Sequence, residues 1–219
     1  MRGSNSAAER YYSLVTTRVP EFEIEEMDGP FILRWKNPPD FSSEELLEFS
    51  EINDGLEVER ECDGSLLIMS PVGFNTNNRE GEVFAQLYIW AKADGTGIAL
   101  PSQGGYYLPN GAERGPDAAW ARRERIDALP EKELDGIPHL VPDFVVEVRS
   151  KSNRLARLKA KMEEYIANGV KLGWLLDPNT RTVFVYRPGA EVQVVEGTST
   201  LDGSPELAGF ILNLAPIWS

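Results

Sequence analysis

Two carboxylates stand out by their setting. Asp117 lies in Gly115-Pro116-Asp117-Ala118-Ala119-Trp120, and Glu147 lies thirty residues on, in Pro142-Asp143-Phe144-Val145-Val146-Glu147-Val148-Arg149. Each is set in a short apolar run, where an ionised carboxylate is costly unless a cation compensates it. A basic segment follows: Arg149, Lys151, Arg154, Arg157, Lys159 and Lys161, with no acid among them. Paired carboxylates beside a basic helix are the ingredients of a divalent-metal site for phosphodiester chemistry. The plainer readings are a structural ion pair at Glu147 and a solvated basic face on the helix.

Side-chain periodicity indicates which elements must hold these groups. Alternation over 144–148 puts Phe144, Val146 and Val148 on one face, and Asp143, Val145, Glu147 and Arg149 on the other. Apolar residues on both faces predict a central strand. A helix over about 154–168 carries Leu155, Leu158, Met162, Tyr165 and Ile166 as its apolar stripe, and Gly169 stops it. Lys159 and Lys161 flank that stripe on opposite sides, and either can lay its stem along the core and bring its ammonium to the sheet. Upstream, a helix over about 77–93 has Val83, Phe84, Leu87, Tyr88 and Ala91 at helical spacing. A short helix starts at Ser42 or Ser43, with acids in its first turn.

Segments 31–35, 98–100, 105–108, 118–120 and 172–176 read as strands. Residues 57–60 and 66–69 form a hairpin turning at Asp63-Gly64, and 182–187 with 192–195 form another at Pro188-Gly189. The stretch 122–138 reads as a surface loop with a short helix. Helices mixed with consecutive strands predict an α+β (mixed α/β) fold. The length suggests a single domain over 41–219, preceded by an irregular extension over 1–40.

Composition narrows the chemistry. The chain is 42% hydrophobic with five Trp and nine Phe, as a globular core requires. No apolar run approaches the ~18 residues of a membrane helix. The first residues are polar and show no signal-peptide pattern; Met1-Arg2-Gly3-Ser4 resembles a cloning remnant and is left out of the fold argument. One cysteine, Cys62, leaves no intramolecular disulfide and fits a reducing cytoplasm. His139 is the sole histidine, so zinc sites and histidine-based triads lack ligands. There is no Gly-x-Ser-x-Gly elbow, phosphate loop or dinucleotide fingerprint. A net charge of −13 opposes indiscriminate nucleic-acid binding, although the local potential decides where a substrate docks.

The wording around the two acids resembles the PD-(D/E)XK nuclease superfamily, and within it a bacterial branch described as restriction endonucleases of unknown target. The resemblance rests on Val141-Pro142-Asp143-Phe144-Val145-Val146-Glu147-Val148-Arg149-Ser150, Lys161-Met162-Glu163-Glu164-Tyr165, Asn168-Gly169-Val170 and Gly173-Trp174-Leu175-Leu176-Asp177-Pro178. Leu108-Pro109-Asn110-Gly111-Ala112 before Pro116-Asp117 and the segment 59–71 match as well, so the likeness spans roughly 40–217.

It implies a restriction-endonuclease-like core, a mixed sheet flanked by helices, with extra strands at both ends. Asp117 and Glu147 would hold Mg²⁺, with Mn²⁺ able to substitute, and DNA would be the substrate. The superfamily's lysine two residues after the strand acid is here Arg149, a poor proton acceptor. The resemblance moves that role to Lys161. It also assigns a helix glutamate to Glu82, with Glu80 the alternative and Glu59 ranked lower as a structural partner for a base. A homodimer is expected by the same likeness. A catalytically silent interaction protein retaining the fold is the other reading.

Overall fold

The computed structural model describes residues 22–25, 31–35, 41–53, 56–69, 71–102 and 104–219. The Met1-Arg2-Gly3-Ser4 start and most of the 1–40 extension lie outside these residues.

A mixed six-stranded sheet is the centre of the molecule. Its strands are β5 (Gly97–Pro101), β8 (Ala118–Arg122), β9 (Phe144–Val148), β10 (Leu172–Asp177), β11 (Thr182–Tyr186) and β12 (Gln193–Glu196), in the order β12-β11-β10-β9-β8-β5. Only β9 and β10 run parallel, with Glu147 opposite Leu175; the other neighbours are antiparallel. A parallel pair needs a crossover, and helix Leu155–Ala167 supplies it. The predicted alternation holds. Phe144, Val146 and Val148 pack on one face with Trp174, Leu176 and the helix Phe74–Asp94, while Val145 and Leu175 pack on the other with Leu158, Met162 and Tyr165.

The second sheet is antiparallel: β1 (Phe22–Glu25), β2 (Phe31–Trp35), β4 (Leu66–Met69), β3 (Glu57–Arg60), β7 (Glu113–Arg114) and β6 (Tyr106–Tyr107), in that spatial order. Part of the 1–40 extension is thus built into this sheet, because β2 pairs with β4. Three residues, Gly115 to Asp117, carry the chain from β7 into β8, which places Asp117 at the seam between the sheets. A ribbon of β13 (Thr200–Asp202) and β14 (Ile211–Asn213), not foreseen from the sequence, contributes Leu201 and Leu212 to the core.

Local rules account for the helix boundaries. Ser42 caps helix Ser43–Ile52 in a capping box with Glu45. The long helix begins at Phe74, three residues earlier than its apolar periodicity suggested, and ends at Gly95, whose φ of 76° suits glycine. The 122–138 loop contains two short helices, Arg123–Ile126 and Glu131–Leu134, rather than one. Among the described residues no helix is long and apolar enough to cross a membrane.

One glycine is fixed by a close approach. A Cβ at Gly97 would stand 2.4 Å from the Ala121 carbonyl oxygen and 2.4 Å from the Trp120 ring across the β5–β8 pair. Neither neighbour can yield without moving the sheet. Gly97→Ala is therefore expected to cost at least ~2 kcal/mol, in the upper range for overpacking, read by urea denaturation.

Candidate active site

The seam between the sheets opens into a cleft of about 740 Å³. The central sheet brings Asp117 and Glu147 to it, the long helix brings Glu80, and helix Leu155–Ala167 brings Lys161. The second sheet contributes β3, where alternation turns Glu57 and Glu59, and Glu61 just beyond, toward the same space. Eight acids and four bases line the cleft among the described residues.

The lysine is the point on which the sequence left a choice, and the geometry places Lys161 in the cleft. Its Nζ lies 2.8 Å from Glu147 Oε1 and 2.8 Å from Glu59 Oε1, and it donates to the Gly115 carbonyl at 3.3 Å. Lys159 points elsewhere, its ammonium 4.1 Å from the centre of the Phe184 ring. Arg149 is also turned away. It donates to Asp177 Oδ2 at 2.8 Å and to the Asn153 carbonyl at 3.1 Å. The position where the superfamily expects its lysine is thus committed to a structural ion pair.

The helix glutamate that meets the strand acids is Glu80. Glu82 does not line the cleft, and it stands about 200° around the helix from Glu80. The sequence held a signal for this. Thr76, Glu80, Val83, Leu87 and Ala91 form the buried stripe of the helix, and Glu80 is its one carboxylate. Adjacency of Glu82 to Val83 was the weaker guide, because neighbours in a helix face different directions.

The acids are unequally compensated. Asp117 accepts the Val148 N–H at 2.6 Å. Burial, and then the charges of Glu147 and Glu80, nonetheless push its carboxyl well above the usual range. Glu147 accepts the buried Tyr165 hydroxyl at 3.1 Å, yet burial raises it too, against the lowering effect of Lys161. Glu80 is pushed up to about 7 by burial and then by Glu57 and Glu147. Glu59 is the opposite case. Burial would raise it, but Lys161 and then Arg114 outweigh burial and hold it below its ordinary value. Lys161 is held above its ordinary value, because Glu147 and Glu59 together overcome the effect of burial.

The cleft wall also holds a network that sequence reasoning missed. Arg114 reaches Glu164 and Glu61, each at 2.6 Å, and Arg157 joins Glu61 at 2.7 Å. Burial would lower the Arg114 guanidinium, but Glu59 and Glu164 hold it firmly charged. A two-residue strand such as β7 leaves no periodic signal from which to find it.

Asp117, Glu147 and Glu80 thus form a cluster short of positive charge. Their oxygens are hard donors of the kind Mg²⁺ prefers. Among the described residues no group of three or more His, Cys, Asp or Glu side chains is drawn together as a metal cage. Mg²⁺ requires less than a cage, since one or two carboxylates with waters suffice. Asp117 and Glu147, which both line the cleft, are the acids that would serve in that way.

The Glu80 carboxyl gives a pH signature in metal-free buffer. Its folded value of about 7 lies above the ordinary 4.5, so the folded chain binds this proton more tightly than the unfolded one. The resulting stabilisation is complete below pH 4.5 and is lost as pH rises through 7. Glu80→Gln, which keeps the shape without the charge, is expected to stabilise the fold at pH 8 by on the order of 2 kcal/mol, allowing for screening in an open cleft. The difference should vanish near pH 4.5, and thermal unfolding at the two pH values reads it.

The family model "Uma2: Putative restriction endonuclease" matches residues 43–215. A crystal structure described as a putative nuclease belonging to DUF820, from Anabaena variabilis, superposes with a TM-score of 0.67 at 21% identity, covering 81% of this chain and 97% of that one. At that identity the likeness speaks for the fold. No protein with a curated description matches the chain.

Proposed function

The chain belongs to the Uma2 putative restriction endonuclease family, and from that premise we propose that it is a Mg²⁺-dependent endonuclease hydrolysing DNA phosphodiester bonds. The observation that carries the reading is Lys161, whose ammonium lies on Glu147 in the cleft that also holds Asp117 and Glu80. Asp117 and Glu147 would hold the ion, with Mn²⁺ able to replace Mg²⁺. When bound, the metal supplies Lewis acidity, lowering the pKa of water and neutralising charge on the attacked phosphate.

The remaining roles belong to the chain. Lys161, kept protonated by two acids, is a fixed cation and not a proton acceptor. It would donate hydrogen bonds to a phosphoryl oxygen as negative charge grows there. Tyr165 holds Glu147 in orientation through its hydroxyl, and the Val148 N–H does the same for Asp117. A cleft with twice as many acids as bases repels a polyanion, so DNA binding is expected to depend on the divalent ion. A homodimer, with each copy cutting one strand, remains part of the proposal.

The test is cleavage of supercoiled plasmid and of single-stranded DNA with Mg²⁺ or Mn²⁺. Glu147→Gln is expected to lower the rate at least ~10²-fold, and chelation with EDTA to abolish it. Equal activity in wild type and Glu147→Gln would sink the proposal. The acidic cleft and the structural use of Arg149 favour one other reading, a silent interaction protein that keeps the fold. A Mn²⁺ titration showing no binding would support that reading.

A further inference from the structure

Glu59 has no role in the two-ligand site, yet it is held from three sides. It is 3% exposed. Its Oε1 accepts the Gly115 N–H at 2.9 Å and faces Lys161 Nζ at 2.8 Å, and its Oε2 lies 3.5 Å from the Arg114 guanidinium. Lys161 therefore stands between two acids, with Glu147 Oε1 also at 2.8 Å.

That arrangement bears on any cation held by Asp117 and Glu147. Lys161 and a divalent ion would compete for the same carboxylate of Glu147, and the two like charges would repel. A lysine whose only partner was Glu147 would either stay on it and oppose the metal or swing out of the cleft. A second carboxylate removes the conflict. Glu59 is anchored to the backbone that leads into Pro116-Asp117 and braced by Arg114, so it cannot follow Lys161 outward.

We propose that Glu59 is a positioning residue: it retains Lys161 in the cleft and thereby frees Glu147 to bind a divalent cation. The inference rests on the metal-site reading above. Glu59 touches neither the ion nor the phosphate and acts through the lysine.

A mutant cycle on the full chain, read by Mn²⁺ titration with electron paramagnetic resonance of the free ion, tests this. Glu59→Gln keeps an oxygen for the Gly115 N–H but loses the charge. It is expected to weaken Mn²⁺ binding ~10-fold, as loss of an outer-sphere partner does. Lys161→Gln keeps hydrogen-bond donors for the acids and removes the competitor. In that background, adding Glu59→Gln should change Mn²⁺ affinity by no more than about twofold, because the coupling runs through the absent lysine.

If Glu59→Gln costs the same factor in both backgrounds, Glu59 acts independently of Lys161 and the inference is overturned. Failure of the Glu59→Gln chain to fold in either background, followed by thermal unfolding, makes Glu59 a structural support and overturns it equally. Wild type that binds no Mn²⁺ overturns the metal-site reading and this inference together, whereas wild-type binding with an unaltered Glu59→Gln variant overturns this inference alone.

Discussion

Asp117→Asn is expected to abolish metal-dependent cleavage while making the metal-free protein more stable. Asparagine retains an oxygen for the Val148 N–H that Asp117 accepts at 2.6 Å, so the entry into β8 is preserved. It is a neutral donor in place of an anionic one, and the cation loses half of its carboxylate set. A rate loss of at least ~10³-fold is expected, as for removal of a principal electrostatic stabiliser of the transition state. Plasmid nicking under single-turnover conditions measures it.

Stability should move the other way. Burial and the neighbouring Glu147 and Glu80 raise the folded value of Asp117 above the ordinary 3.8. Protonation therefore stabilises the fold, fully below pH 3.8, and that contribution is lost as pH rises through the folded value. The advantage of asparagine is largest at alkaline pH and absent in acid. Thermal unfolding in EDTA across this range checks the sign. A variant that loses activity and stability together would indicate a structural acid rather than a strained ligand.

Lys161→Met is expected to have the largest effect on stability. The lysine compensates two acids that are 4% and 5% exposed at their side chains. Methionine fills the stem's space and leaves both carboxylates without that partner. Breaking a buried pair from one side costs about 3–5 kcal/mol. The pH dependence identifies the cause. Glu59 is held below its ordinary 4.5, so its contribution is present above pH 4.5 and lost as pH falls through the depressed folded value. The gap between wild type and Lys161→Met should be widest near neutrality and close in acid. Urea denaturation at pH 7.5 and pH 4 measures it, and a gap independent of pH would assign the loss to packing instead. Activity should fall by ~10²–10³-fold as well, since a fixed cation beside the phosphate is lost.

Much of the frame was legible because the signals are local. Strand β9 was read with its boundaries and both of its faces, since alternation with apolar residues on each side is a period-2 pattern. The helix over 155–167 was legible from its stripe and from Gly169. Asp117 and Glu147 were visible as acids in apolar runs. Glu80 was less visible, because the family likeness drew attention to Glu82 while the buried stripe through Thr76, Val83 and Leu87 already included Glu80. The β13–β14 ribbon and the two-residue β7 went unread, being too short to carry a pattern, whereas β6 lies within the strand read over 105–108.

By itself, then, the sequence determined the elements, the faces they bury and the two acids that need a cation, because hydrophobic periodicity and the cost of a buried charge act within a few residues. The family likeness pointed to Lys161, but periodicity left the base open, and only the tertiary structure shows why Lys161 answers those acids. Lys161 and Lys159 are equivalent on the helix, and they part only when Glu59 arrives from the second sheet to face one of them, while the Phe184 ring lies under the other. That choice depends on residues 102 positions apart in sequence meeting at the seam of two sheets, a contact no local period can encode.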